Sequence, residues 1–324
     1  MATLAKTIVA TGASSGIGFE LVKQLLSQRS QPYRLILGAR DVRRTRAALD
    51  ALRFDPAAGH RLTVLPLELA DLRATREFAR LALLALREGE EAEDRQLEGE
   101  DSGGGGGGGA GGGGKGDGGR LDYLLLNAAM TYPVGDGGVR GKWSEAVVVN
   151  HFAQHYLLHL LREKLVESKA RIVIVSSGGI RQVTDPAALA HDLQAGSGVE
   201  PMKTYCQTKF VQLLSAHWWR RQLKDQCTVV AVSPGLIPGT GLGRGAGMTA
   251  TMDMPDAKSI PEGARSILAA FTRDDFPEDP DQIFLTSWGE WWSKDVYSLT
   301  LDKALQDKWS PSKDEMENDD AFTR

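Results

Sequence analysis

The feature that most constrains this chain is an alternation of short, β-branched apolar runs with longer amphipathic stretches. Seven runs recur: KTIVATG (Lys6–Gly12), RLILGAR (Arg34–Arg40), RLTVLPLEL (Arg61–Leu69), LDYLLLN (Leu121–Asn127), ARIVIVSS (Ala170–Ser177), CTVVAVSPG (Cys227–Gly235) and QIFLTS (Gln282–Ser287). Strands this apolar bury both faces, which demands a parallel sheet with helices above and below it. Residues 18–28, 71–87, 141–168 and 202–223 carry the helical pattern needed to cover it. The expected fold class is α/β: a Rossmann-like, doubly wound parallel sheet of about seven strands with helices on both faces, in a single domain over residues 1–324.

One stretch breaks the rhythm. Residues 88–120 join an acidic run to a glycine tract, EGEEAEDRQLEGEDSGGGGGGGAGGGGKGDGGR. They bury too little apolar surface to offset the entropy of ordering, so a disordered insertion is expected. It falls between a helix and a strand, where added loop length costs little; a linker between domains is the competing reading. The charged end, residues 310–324, is expected to fray.

A net charge of −4 offers no basic excess for holding nucleic acid. No apolar run approaches the roughly 20 residues that span a bilayer. The first strand pattern begins at Lys6, leaving no room for a targeting segment, and Cys206 and Cys227 are the only cysteines. A reducing, cytoplasmic setting without a disulfide framework is expected. Two thiols alone do not build a zinc site, and no metal is expected.

The first turn reads TGASSGIG, Thr11 to Gly18. Gly12, Gly16 and Gly18 permit a tight turn and a close approach to a pyrophosphate, with Ser14, Ser15 and Ile17 between them. The helix N-terminus that follows adds unpaired N–H groups and partial positive charge. The spacing is Gly-x-x-x-Gly-x-Gly, distinct from the common dinucleotide fingerprint. The second strand ends in GARD. Ala39 stands where an acid would hold a ribose 2′-hydroxyl, and Arg40 suits a 2′-phosphate, so the expected cofactor is NADP(H). Asp41 is read as the cap of the next helix.

In TYCQTKF, Tyr205 and Lys209 lie one helical turn apart on one face. A phenol is a poor acid at neutral pH, and a nearby ammonium lowers its pKa. IVIVSS ends in Ser176 and Ser177, whose hydroxyls can hold a carbonyl oxygen beside the tyrosine. A core tyrosine beside a solvated lysine is the plain structural alternative.

Taken in order, TGASSGIG, NAA, VVVNHF, IVSS, YCQTK and SPG resemble a short-chain dehydrogenase/reductase from Lys6 to about Thr286, apart from the glycine insertion. The resemblance implies that Ser177 orients a carbonyl, Tyr205 protonates it, and Lys209 holds the nicotinamide ribose. It implies that Asn150 fixes a helix irregularity and a water leading to Lys209. Asp71 would contact adenine. Asn127 would stand at the second asparagine of the family's cofactor-binding turn, where small Ala128 and Ala129 would let the cofactor ribose pass close to the backbone. Pro234, Gly235 and Ile237 would seat the nicotinamide amide, and Thr240 would lie near the phosphates.

Two departures bear on substrate. The interval from Ser177 to Tyr205 is long for the family, so residues 178–203 form an insertion expected to shape the substrate pocket. SPGLIPGT also carries one extra residue before its threonine. Both features resemble members acting on bulky apolar carbonyls: retinol and ketosteroid reductases and protochlorophyllide reductases. Leu236 replaces the cysteine of the last group, which disfavours its chemistry. The expected function is NADPH-dependent reduction of a ketone or aldehyde, as reversible alcohol dehydrogenase chemistry on a fairly bulky apolar substrate. The alternatives are a non-catalytic NADP(H)-binding scaffold or redox sensor, and a nucleotide-sugar epimerase or dehydratase, whose usual opening pattern TGASSGIG does not fit.

Weaker signals remain. His151, His155 and His159 recur every four residues on the Asn150 helix. They are read as packing against a helix or a second subunit rather than as metal ligands. That helix often forms a dimer face in the family, so a homodimer or homotetramer is expected. Trp288, Trp291 and Trp292 close either over a substrate or over the sheet edge. Cys206 is read as a packed thiol.

Overall fold

A computed structural model describes residues 3–100, 119–131, 141–243, 249–319 and 322. Strands β1 (Lys6–Thr11), β2 (Tyr33–Ala39), β3 (Arg61–Pro66), β4 (Tyr123–Leu126), β5 (Arg171–Val175), β6 (Thr228–Val232) and β7 (Phe284–Leu285) form one sheet in the order β3-β2-β1-β4-β5-β6-β7. Every pairing is parallel. Successive residues of each strand feed opposite faces: Val9, Ile36, Leu124 and Ile172 enter one core, Ile8, Leu35, Leu125 and Val173 the other. The single Rossmann-like domain expected from the strand pattern is what forms.

The helices are α1 (Gly16–Leu26), α2 (Val42–Asp50), α3 (Leu72–Glu100), α4 (Glu145–Val147), α5 (Ala153–Glu167), α6 (Leu189–Asp192), α7 (Pro201–Leu223), α8 (Ile260–Thr272), α9 (Lys303–Lys308) and α10 (Lys313–Asn318). A π-helical segment, Val148–Phe152, joins α4 to α5. Because the chain crosses from β3 back to β4, the connections leaving β1 and β4 diverge, which opens a crevice at their carboxyl ends.

Two expectations about disorder are corrected. The acidic run does not begin a loop: α3 continues through it to Glu100, while 101–118 lie outside the described residues. Glutamate, leucine and arginine favour helix, and extending a helix already formed avoids the cost of a new nucleus. The charged end is docked rather than frayed. Trp309 and Met316 are buried, Ser312 and Glu315 form a capping box, and the Tyr156 hydroxyl donates to Glu317 Oε1 at 2.6 Å. Residues 320–321 and 323–324 lie outside the described residues.

The docked end explains the histidine stripe. His151 Nε2 donates to the Trp309 carbonyl at 2.7 Å, and His155 Nε2 to the Pro311 carbonyl at 2.8 Å. His155 Nδ1 accepts from Trp219 Nε1 and Ser215 Oγ, which leaves Nε2 as its donor. The stripe packs against the chain's own C-terminal segment and α7, so it is not an exposed subunit face. Among the described residues, no group of three or more His, Cys, Asp or Glu is placed to hold a metal, and no helix is long and apolar enough to cross a membrane.

Candidate active site

The site begins at the β1 and β4 ends. Thr11 is fully buried, and its hydroxyl accepts from the N–H groups of Asn127 and Ala128 at 3.1 and 3.2 Å. Asn127 Nδ2 in turn donates to the Gly12 carbonyl at 2.7 Å. Asn127 therefore ends its strand by tying β4 to the glycine turn. Space is tight on both sides of that bond. Gly12 has φ +66, and a Cβ there would meet the Ala128 backbone at 2.6 Å. A Cβ on Gly18 would lie 2.2 Å from the Gly12 carbonyl and 2.5 Å from Asn127 Nδ2. Both positions require glycine for backbone packing.

Beyond the turn, Ser14 and Ser15 are exposed, and the N-terminus of α1 has no side-chain cap and no acid in its first turn. Its N–H groups and dipole thus favour an anion at the crevice mouth. Gly16 faces Thr240, whose Cγ2 lies 3.7 Å from where a Gly16 Cβ would be. Pro234 is buried and Gly235 half-buried just beyond β6, where Leu236 pairs with Ala257. Ile237 and Ile17 meet over Gly263, where a Cβ would lie 2.7 and 3.0 Å from their side chains. The loop carrying Ile237 and Thr240 thereby closes on the first turn.

Arg40 is exposed at the end of β2. Asp41, as expected, caps α2 by accepting from Arg44 N at 2.8 Å. Asp71 accepts from Arg73 N at 2.7 Å immediately ahead of α3, in the connection that leaves β3.

Asn150 sits fully buried within the π-helical segment. Its Oδ1 accepts from Met130 N at 2.8 Å, and its Nδ2 donates to Met130 O and Thr208 Oγ1, both at 2.9 Å. One amide therefore ties the chain after β4 to α7 through the residue preceding Lys209. The extra residue per turn of a π segment lets Asn150 point inward there.

On α7, Tyr205 lies near Ser177, and the Lys209 ammonium lies 5.9 Å from the Tyr205 ring centroid. Ser177 also accepts from Gly179 N at 3.1 Å, which orients its hydroxyl at the end of β5. Lys209 is 1% exposed and donates to the Val175 carbonyl at 2.7 Å and to Gln212 Oε1 at 3.1 Å. Burial draws the Lys209 pKa down to about 7, while desolvation pushes Tyr205 up to about 12, against the smaller lowering effect of the Ser177 hydroxyl. Burial thus acts on the phenol in the sense opposite to the lowering expected from the ammonium. Cys206 is a packed thiol, 2% exposed, raised to about 11 by burial.

The insertion between Ser177 and Tyr205 links both arms of the site. Asp192 accepts from Gln207 Nε2 at 2.7 Å and pairs with Lys203 at 2.9 Å, and Leu193 O accepts from Ser144 N at 2.9 Å. It so bridges the start of the Asn150 helix to the first turn of α7. Of the tryptophans, Trp291 pairs with Leu285 and Trp292 packs on Phe284, covering the sheet edge. Trp292 also reaches the site, lying 3.2 Å from where a Gly178 Cβ would be; Trp288 is exposed. Sequence reasoning missed Thr11, Gln207 and Gln212. Thr11 immediately precedes the first glycine, and its place there was the available signal.

No protein-family model matches the chain. It is 52% identical over 320 residues to a short-chain dehydrogenase/reductase of Pestalotiopsis microspora, covering 98% of this chain and 99% of that protein. Human retinol dehydrogenase 12 is 27% identical over 234 residues, 72% of this chain but only 61% of the relative's length. Among solved structures, the NADPH-bound carbonyl reductase from chicken fatty liver aligns with TM-score 0.57 at 19% identity, covering 89% of this chain and 99% of that one. An alcohol dehydrogenase of Thermococcus sibiricus, complexed with 5-hydroxy-NADP, aligns with TM-score 0.56 at 18% identity over 87% and 96%. These two likenesses speak to the fold. The near-complete match at 52% identity speaks to descent: the chain belongs to the short-chain dehydrogenase/reductase family.

Proposed function

We propose that the protein is an NADPH-dependent reductase of a ketone or aldehyde, working reversibly as an alcohol dehydrogenase. The observation that carries this reading is the gathering of Ser177, the buried Tyr205 phenol and the Lys209 ammonium, 5.9 Å from the phenol ring, at the carboxyl edge of the sheet. The residues present suit a dinucleotide: the uncapped start of α1 with Gly12, Ser14, Ser15, Gly16, Ile17 and Gly18 for the pyrophosphate, and Arg40 for a 2′-phosphate. Asp71 would meet the adenine, Asn127 and Ala128 the ribose, and Pro234, Gly235, Ile237 and Thr240 the nicotinamide end. When bound, the nicotinamide supplies the hydride.

Tyr205 then gives its proton to the carbonyl oxygen, and Ser177 donates a hydrogen bond to that oxygen. A phenol pushed up to about 12 holds its proton at neutral pH but gives it up reluctantly, so the transfer needs support for the phenolate. Lys209, while charged, steadies the phenolate left behind. Asn150 keeps Met130 and Thr208 in register with that pair. A bulky apolar substrate is favoured by relatives named for retinol and by Trp292 beside Gly178. The cytoplasm suits a protein with two buried, unbridged cysteines.

The test is NADPH oxidation against a panel of ketones and aldehydes, with wild type and Tyr205→Phe. We expect turnover by the wild type and a loss on the order of 10²-fold or more in the variant, with NADPH still bound. Full turnover by Tyr205→Phe refutes the assignment. Binding of NADPH with no consumption by the wild type selects the sensor reading instead.

A further inference from the structure

We propose that Gln212 is a positioning residue for Lys209: its side-chain oxygen holds the buried ammonium against β5 and sets the surroundings in which Tyr205 exchanges its proton. The inference rests on the reading of Tyr205 and Lys209 given above.

Gln212 lies three residues beyond Lys209 on α7, so the two side chains share one helix face. Lys209 is 1% exposed and Gln212 3% exposed. The ammonium donates to two neutral acceptors, the Val175 carbonyl at 2.7 Å and Gln212 Oε1 at 3.1 Å. Facing an ammonium, the amide must present its oxygen, because Lys has no acceptor to offer an N–H. That orientation has a cost on the other side of the amide: Gln212 Nε2 is buried with no hydrogen-bond partner among the described residues. An apolar side chain at 212 would avoid the orphaned donor. The site keeps the amide and thereby keeps an acceptor for Lys209.

The charged form of Lys209 has little other support. From its own helix the titratable groups near the pair are the Tyr205 phenol and the Cys206 thiol, both pushed up by burial. From β5 come the Val175 carbonyl and Ser176, whose hydroxyl donates to the Lys209 carbonyl at 3.4 Å. From the π-helical segment comes Asn150, which binds Thr208. No carboxylate pairs with Lys209 among the described residues. With burial already drawing it down to about 7, the nature of a single acceptor decides how much of it is charged near neutral pH.

The experiment compares the wild type with Gln212→Leu and Gln212→Glu, all checked for cooperative thermal unfolding. The first readout needs no cofactor: NMR titration of 13Cε-labelled lysine, with the Lys209 signal assigned by its loss in Lys209→Met. Gln212→Glu should raise the Lys209 pKa by about one unit or more, and Gln212→Leu should lower it by about as much. The second readout is the pH profile of NADPH-dependent reduction, whose fall at high pH should move in the same opposite directions, with kcat more affected than KM. A merely structural role moves neither in opposite senses. Unchanged Lys209 titration in folded Gln212→Leu overturns the proposal, and that variant decides the matter if Gln212→Glu does not fold. A wild type that turns over no carbonyl refutes the reductase reading, while the NMR titration still decides Gln212.

Discussion

Lowering the pH from 7.5 to 5 should weaken the docking of the C-terminal segment, and the magnitude attributable to His151 follows from its surroundings. The ring is 1% exposed and spends its Nε2–H on the Trp309 carbonyl at 2.7 Å. Burial draws its pKa down to about 4 from the ordinary 6.5, the Trp309 bond opposing this only in part. The folded value lies below the unfolded one, so the unfolded chain takes up the proton first. Stability present above about pH 6.5 is therefore lost as the pH falls toward 4. Integrating the difference in bound protons gives a loss of about 2 kcal/mol from His151 between pH 7.5 and 5. His155 adds to the acid sensitivity in the same sense, because burial, with His159 and His151 beside it, holds its pKa well below 6.5, and a proton on its Nδ1 would also confront the Trp219 N–H that it now accepts. Urea unfolding of the wild type and His151→Gln at both pH values isolates the His151 share, since glutamine can donate to the Trp309 carbonyl and has no proton to gain. The variant should lose about 2 kcal/mol less on acidification. If both proteins lose the same stability, the linkage argument is wrong.

Gly18→Ala places a methyl 2.2 Å from the Gly12 carbonyl and against Asn127 Nδ2. It should destabilise by about 2–4 kcal/mol through overpacking and loss of the Asn127 bond, and an unchanged urea midpoint would contradict this. Asp192→Asn removes the charge pairing with Lys203 that, with the Gln207 bond, holds Asp192 down to about 2. It should raise the carbonyl KM by about fivefold, equivalent to ~1 kcal/mol; steady-state kinetics with no change in KM would show that the insertion does not set substrate affinity. Arg40→Ala should weaken NADPH binding about tenfold and leave NADH binding unaltered, and equal effects on the two in a fluorescence titration would remove Arg40 from 2′-phosphate recognition.

Much of the fold was legible along the chain because burial on both faces leaves a one-dimensional signature. Each of the seven apolar runs coincides with a strand of the sheet to within a few residues, and the run ends at Gly12, Asn127, Ser177 and Gly235 all fall along one edge. The glycine turn and the Tyr205–Lys209 pair were legible for a similar reason: a tight turn and a helical period of four are local constraints. The long helix at the acidic run was not, because its composition suits both a solvated coil and the extension of an existing helix, and only the preceding turns of α3 decide. The docking of the C-terminal segment was equally hidden. Its charged residues look frayed until His151, His155 and Tyr156, more than 150 positions earlier, supply partners.

The sequence by itself determined the sheet, the glycine turn and which side chains could do chemistry, since these depend on residue type and short-range spacing. Tertiary structure alone decided that Asn127 is spent on Gly12, that Gln212 reaches Lys209, and that burial governs the acidity of both Tyr205 and Lys209. Those outcomes depend on which groups lose water and which meet across elements distant in the chain, and no local pattern encodes either.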